Sequence, residues 1–343
     1  MPTLAVVLLA AGQGTRMRSR RQKILHEVGG RPMVLHAFEA AAAVATVKPV
    51  LVVAPGEEGV GQLIGERAAY VIQPEQLGTG HATLMAAPVL QGRADQVIVT
   101  YGDMPLLRPE TMTRLAQTQA QTGAAVVLLS VFGEPSSSFG RVVRDAGGRV
   151  EEIVEVAEAK RRPEADALLA IRELNAGVYC FAASWLWACL PALPLRQART
   201  GPEYYLTDVV GLAVQQGLLV EAIATDNPDE CLGAGTRQEL VVVEKAFRRR
   251  ANARWLAAGV TLIDPDATYI DQTVIIGQDT VIWPNTFLQG QTNIGEECII
   301  GPNAILRDAE VGRGCWIEQA VVEKAAILDG LKVGPFSYVK RET

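Results

Sequence analysis

Seven aliphatic residues, Ile270, Ile276, Ile282, Leu288, Ile294, Ile300 and Leu306, recur at an unbroken interval of six. A half-buried strand repeats every two residues and an amphipathic helix about every 3.6, so a period of six marks neither. It is the signature of a parallel β-helix, in which three short strands make a triangular coil of about 18 residues. One such coil cannot bury its aliphatic face alone, so coils must stack to make a core. Gly277, Gly295 and Gly301 follow directly on members of the series. The register loosens after Leu306, through Val311, Ile317, Val322 and Ile327, and roughly four coils are expected before Thr343.

The chain before this repeat has a different texture. Short β-branched runs at Leu4–Leu9, Val50–Ala54, Gln96–Tyr101 and Ala124–Val131 alternate with helical patterns at Pro32–Val44, Gly80–Ala87 and Pro109–Thr118. Strand–helix alternation with near-continuous apolar strands predicts a mostly parallel sheet covered on both faces. Such sheets take ligands at the carboxyl ends of their strands. Between the two textures, Leu240–Leu256 reads as a single connector helix, with Arg248, Arg249 and Arg250 as its solvated face. The expected organisation is an α/β domain over 1–235, a linker helix over 236–260 and a short β-helix over 261–343.

Composition narrows the function classes. The chain has 343 residues, 49% of them hydrophobic and 20% charged, which supports large cores and argues against disorder. Its net charge of −6 argues against a general nucleic-acid binder. No apolar run reaches the 18 or so residues a membrane span needs, so no membrane partner is expected and a cytoplasmic location is. The five cysteines form no CxxC pair. They read as buried small hydrophobes in a reducing compartment rather than as a disulfide framework or zinc site.

Three segments could carry chemistry. The first is Leu8-Leu-Ala-Ala-Gly-Gln-Gly-Thr-Arg-Met17, with Lys23 close behind. Gly12 and Gly14 allow a sharp turn and close backbone approach, backbone N–H groups in such a loop cradle anions, and Arg16 and Lys23 add positive charge. It is neither a Walker A loop nor a GxGxxG fingerprint, and a plain strand-to-helix turn is the alternative. The second is Gln73-Pro-Glu-Gln-Leu-Gly-Thr-Gly-His81, whose amides suit a nucleobase edge; Thr79 could equally cap a helix starting near His81. The third is Tyr101-Gly102-Asp103-Met104-Pro105, which places an aspartate at a strand end, suited to holding Mg²⁺ against phosphates or to an ordinary cap.

Taken in order, these segments resemble the uridyltransferase domain of the bifunctional GlmU family, which makes UDP-N-acetylglucosamine and ends in a left-handed β-helix. The resemblance continues through Phe139-Gly140-Arg141, Ile153-Val154-Glu155, Leu174-Asn175-Ala176-Gly177, Glu203-Tyr-Tyr-Leu-Thr-Asp208 and the hexads. It implies a Rossmann-like α/β nucleotidyltransferase domain followed by a short left-handed parallel β-helix. By the same resemblance, Leu9, Ala10, Gly12, Gly14, Thr15 and Arg16 hold the nucleotide, Lys23 neutralises the reacting phosphoryl group, and Gln73, Gln76, Gly78 and Thr79 read uracil. Asp103 becomes a Mg²⁺ ligand, and Tyr101, Gly102, Gly140, Glu155, Asn175, Tyr205 and Thr207 line the N-acetylglucosamine 1-phosphate pocket. Implied substrates are UTP and N-acetylglucosamine 1-phosphate, and the implied assembly is a homotrimer through the β-helix.

Two departures from the family pattern stand out. Gln22 replaces the proline that precedes the reactive lysine, which is expected to loosen that loop. The family's second metal ligand, an asparagine, falls at Gly235, with Thr236 or Asp226 as candidate substitutes. The three histidines, His26, His36 and His81, all precede the β-helix, whose acetyltransferase in the family uses a histidine base. No acetyltransferase activity is therefore expected of this chain. Two other functions fit the same residues: transfer to another sugar 1-phosphate or from deoxythymidine triphosphate, and a non-catalytic sugar-nucleotide sensor or assembly protein.

Overall fold

Strand runs apolar at every position must be covered on both faces, and the first of them, β1 (Leu4–Leu9), is buried throughout. The computed structural model describes residues 2–56, 58–134, 138–198 and 201–341. It comprises two compact units, Met1–His26 with Met33–Glu239, and Glu27–Pro32 with Leu240–Thr343.

The first unit is built on a nine-stranded sheet. Its other strands are β2 (Val50–Val53), β3 (Ala69–Ile72), β4 (Gln96–Tyr101), β5 (Val126–Phe132), β6 (Arg141–Arg144), β7 (Val150–Val154), β8 (Glu173–Ala182) and β9 (Val220–Ala224). The order is β9-β5-β8-β4-β1-β2-β3, with β6 bridging β8 and β7. Neighbours along this path pair in parallel except β8, which runs antiparallel between β4 and β5. Alternate residues of β1 feed two cores: Ala5, Val7 and Leu9 on one face, Leu4, Val6 and Leu8 on the other. The strand runs expected from sequence at Leu4–Leu9 and Gln96–Tyr101 keep those bounds, while Ala124–Val131 shifts to Val126–Phe132. The helix expected over Gly80–Ala87 is two short ones, Gly78–Leu84 and Ala87–Leu90. The one at Pro109 runs on to Thr122, where Gly123 (φ 67°) supplies the left-handed stop.

The second unit contains the β-helix. Its strands stack in parallel on three faces, five deep on two of them and four deep on the third, somewhat more than the four coils expected. The aliphatic series points inward: Ile282, Leu288, Ile300, Leu306 and Ile317 are fully buried. Coil length explains the loosened register. Val281 pairs with Ile299, 18 residues on, but Glu310 pairs with Ala326, 16 on. Some hexads thus contract to pentads while the stacking is kept. Corners take left-handed backbone at Asp279, Asn285, Glu297, Asn303, Asp308, Gln319, Lys324 and Phe336. At Gly277 a Cβ would lie 2.5 Å from the backbone nitrogen of Glu296 in the next coil, so a side chain there would wedge coils apart. Ile300→Ala should cost about 2–5 kcal/mol of this unit's stability, whereas Ile275→Ala, on the exposed outside, should cost under about 0.5 kcal/mol. Denaturant unfolding monitored on Trp283 and Trp316 checks both; equal costs would refute the inward series as the core.

Two features of this unit were not expected. Glu27–Val28 and Arg31–Pro32 form a hairpin whose Gly29 and Gly30 both have positive φ, the two-residue turn that suits a hairpin's twist. The Gly29 N–H donates to Glu244 Oε2 at 2.9 Å, and a Cβ there would strike the Phe247 ring. The helix expected over Pro32–Val44 accordingly starts at Met33. The connector helix spans Arg237–Ala257, and Arg248 is buried rather than solvated. Its guanidinium lies 4.4 Å over the Tyr269 ring, itself stacked on Phe287 at 4.5 Å. A flat cation with an apolar stem buries well against such a face, which charge counting along a helix misses.

Candidate active site

Parallel pairing puts the carboxyl ends of β1, β3 and β4 on one edge of the sheet. The loops that follow, 10–17, 73–78 and 102–106, therefore meet there. They enclose two cavities within the first unit, about 260 and 500 Å³ in volume.

The smaller cavity gathers Leu9, Ala10, Gly12, Lys23, Gln73, Gln76, Gly78 and Thr79. Gln76 Nε2 donates to the Ala11 carbonyl at 3.1 Å, tying the two loops together. Gln73 is buried, and its Nε2 donates to the Gly78 carbonyl at 3.1 Å, so it shapes the loop from within. Gly78 has φ 91°, and a Cβ there would stand 2.6 Å from the Tyr204 carbonyl oxygen, which makes glycine obligatory. Thr79 is not a helix cap. The helix begins at Gly78, and the Thr79 hydroxyl accepts from the Leu206 N–H at 3.0 Å.

The larger cavity gathers Arg16, Gly140, Glu155, Asn175 and Gly235. Asn175 and Gly177 reach this edge because β8 runs antiparallel and is irregular between Asn175 and Tyr179. Asn175 Nδ2 donates to the Tyr179 hydroxyl at 2.7 Å. Tyr101 and Asp103 line both cavities and form their common wall. Burial holds the Tyr101 phenol protonated far above its ordinary range, with Glu155 and Asp103 adding to the effect. The Cys231 thiol, also in the wall, is pushed up to about 12 by burial and stays neutral at ordinary pH.

At the junction, Lys23 Nζ forms an ion pair with Asp103 Oδ2. Gly14 (φ 61°) presses directly on Lys23, leaving no room for a Cβ, so that glycine serves the lysine rather than lining a cavity. Gln22 holds φ −54°, within the range a proline would impose. Thr15 opens a short 3-10 turn, and the Gly102 N–H donates to the Leu9 carbonyl behind the wall. Thr207 bonds Glu155 from a small adjoining cavity that also holds Arg196 and Asp208, and Tyr205 lines neither main cavity.

The Glu155 carboxyl lies above the ordinary carboxylate range. Burial is the main cause, opposed by the Thr207 hydroxyl and reinforced by Asp208 and Glu158. The folded chain thus keeps this proton to higher pH than the unfolded one, and its stability falls as pH rises from the ordinary carboxylate range through the raised value. Glu155→Gln should remove that part of the slope in a series of urea midpoints against pH. An unchanged slope would show that Glu155 titrates normally.

Position 235 offers no side-chain oxygen. A Cβ built there would lie 2.6 Å from Arg16 Nη2 and 3.1 Å from Glu239 Oε2. The substitutes weighed from sequence do not serve: Thr236 Oγ1 accepts from the Glu239 N–H as a helix cap, and Asp226 pairs with Arg114 at 3.8 Å, lining neither cavity. Among the described residues, no group of three or more His, Cys, Asp and Glu gathers as a metal cage. A hard divalent cation needs less, since Mg²⁺ sits on one or two carboxylates and completes its shell with water and phosphate oxygens. Asp103 and Glu239, both on the larger cavity, fit that requirement. Of the charged residues lining the two cavities, Glu239 and Glu203 are those the sequence reading missed. Thr236-x-x-Glu239 was visible as a capping box, but not its place in the cavity.

A glycine-turn loop, a lysine–carboxylate pair and two cavities sharing a wall at the carboxyl edge define a nucleotidyltransferase-type fold joined to a hexapeptide β-helix. Residues 6–201 match the MobA-like NTP transferase domain, and residues 273–308 match the bacterial transferase hexapeptide, in six repeats. The bifunctional protein GlmU of Heliobacterium modesticaldum is 41% identical over 98% of this chain and 72% of its own length. That of Pelotomaculum thermopropionicum is 44% identical over 99% of this chain and 73% of its own. The chain belongs to the GlmU family. Among the described residues no helix is long and apolar enough to cross a membrane.

Proposed function

We propose that this enzyme transfers the uridylyl group of UTP to N-acetylglucosamine 1-phosphate, giving UDP-N-acetylglucosamine and pyrophosphate. The observation that carries this reading is the pair of cavities divided by Tyr101 and Asp103, with Lys23 at the junction. A nucleotide in the smaller cavity would expose its α-phosphorus to a sugar phosphate in the larger one. Gln73, Gln76, Gly78 and Thr79 hold the base, while Gly12, Thr15 and Arg16 attend the phosphates. Glu155, Asn175 and Gly140 receive the acetamido sugar, with Thr207 orienting Glu155. A phosphate oxygen of the sugar attacks, the α–β bridge breaks, and pyrophosphate leaves. Lys23 and Arg16 neutralise the charge that builds on the phosphoryl group and departing pyrophosphate, and positioning supplies much of the rest. Mg²⁺, held by Asp103, supplies charge neutralisation and phosphate alignment when bound.

The assembly proposed for this chain is a homotrimer through the β-helix, whose outer face exposes Ile275, Trp283, Leu328 and Tyr338. The reaction is tested by ³¹P NMR of the enzyme with Mg²⁺, UTP and N-acetylglucosamine 1-phosphate. The expected result is a new diphosphate diester pair matched one-to-one by pyrophosphate. Intact substrates in the presence of folded, UTP-binding protein would favour the sensor reading instead.

A further inference from the structure

We infer that Glu239 is the second carboxylate holding the divalent cation of the bound nucleotide, acting with Asp103 across the larger cavity; this rests on the uridylyl-transfer reading. Three observations converge on it. First, the chain segment beside Asp103 leads straight to Glu239. The Ala234 N–H donates to the Asp103 carbonyl at 3.3 Å, and a Cβ on Gly233 would lie 3.8 Å from Asp103 Oδ1. Two residues on, at most about 7 Å of chain, the space above Gly235 is taken by Glu239 Oε2. Second, this reach depends on glycine at 235, because any side chain there would meet the Glu239 carboxylate and the Arg16 guanidinium. Third, Asp103 and Glu239 both line the larger cavity, where the Lys23 ammonium and the Arg16 guanidinium already offset part of their charge. Two carboxylates on one cavity are the donor set a hard divalent ion takes, with phosphate oxygens and water completing its shell.

Glu239 also has an ordinary role, since its Oε2 accepts from the Gly235 N–H at 2.7 Å in a variant of the capping box. The two roles are separable. Glutamine caps as well as glutamate, but its neutral amide is a poor ligand for a hard cation. The test is a Mn²⁺ titration of the full chain with UTP, following the electron paramagnetic resonance signal of free Mn²⁺. Glu239→Gln should weaken Mn²⁺ binding by about tenfold or more with the metal-free melting temperature unchanged. Glu239→Asp, which keeps the charge on a shorter stem, should fall between parent and Glu239→Gln. If Glu239→Gln binds Mn²⁺ as tightly as the parent, Glu239 is a cap only. A parent that binds Mn²⁺ with UTP and makes no nucleotide sugar would instead refute the uridylyl-transfer reading.

Discussion

Lys23→Ala is expected to lower turnover by about 10²–10³-fold while the KM for UTP moves only a few-fold. The reason lies in where the ammonium sits. It is paired with Asp103, which lines both cavities. Its charge therefore matters most when negative charge builds on the transferring phosphoryl group. On the proposed reading the ground-state nucleotide would keep its contacts to Gln76, Gly78 and the glycine loop. Steady-state kinetics with both substrates varied checks this, and a loss confined to KM would make Lys23 a ground-state binder.

Asp103→Asn should raise the Mg²⁺ concentration for half-maximal turnover by about tenfold or more and lower the maximal rate as well. The amide keeps the shape of the wall beside Tyr101 but not its charge, so the loss is assigned to the cation and not to packing. Because Asp103 is also the partner of Lys23, the Lys23→Ala/Asp103→Asn double variant should lose less than the product of the single losses. Multiplicative losses would mean the two residues act independently. A Mg²⁺ requirement unmoved by Asp103→Asn would put the cation elsewhere.

Much of the architecture was legible because it is written in local periodicity. The hexads from Ile270 to Leu306 repeat one physical demand, an aliphatic on the coil axis, and the strands obey it. The later coils were harder to read, since pentads such as Leu306 to Val311 keep the stacking while breaking the count. Strand runs buried on both faces were equally plain. Contacts set by topology were not. Lys23 and Asp103 are 80 residues apart, and only the β1–β4 pairing brings their loops together. The Gly29–Gly30 turn was present in the sequence but overlooked, as was the burial of Arg248, which needs Tyr269 from a different element. Glu239 was hidden for another reason: its signal is that of a helix cap, and its second setting depends on the side chain that Gly235 lacks.

Pyrophosphate release over a Mg²⁺ series tests the proposed transfer between UTP and an acetamido sugar phosphate across the Tyr101–Asp103 wall. N-acetylglucosamine 1-phosphate and glucose 1-phosphate should be compared at matched UTP. Mg²⁺-dependent release is expected, with kcat/KM clearly favouring the acetamido sugar and a preference that collapses in Glu155→Gln. Equal use of both sugars, or release that ignores Mg²⁺, would contradict it.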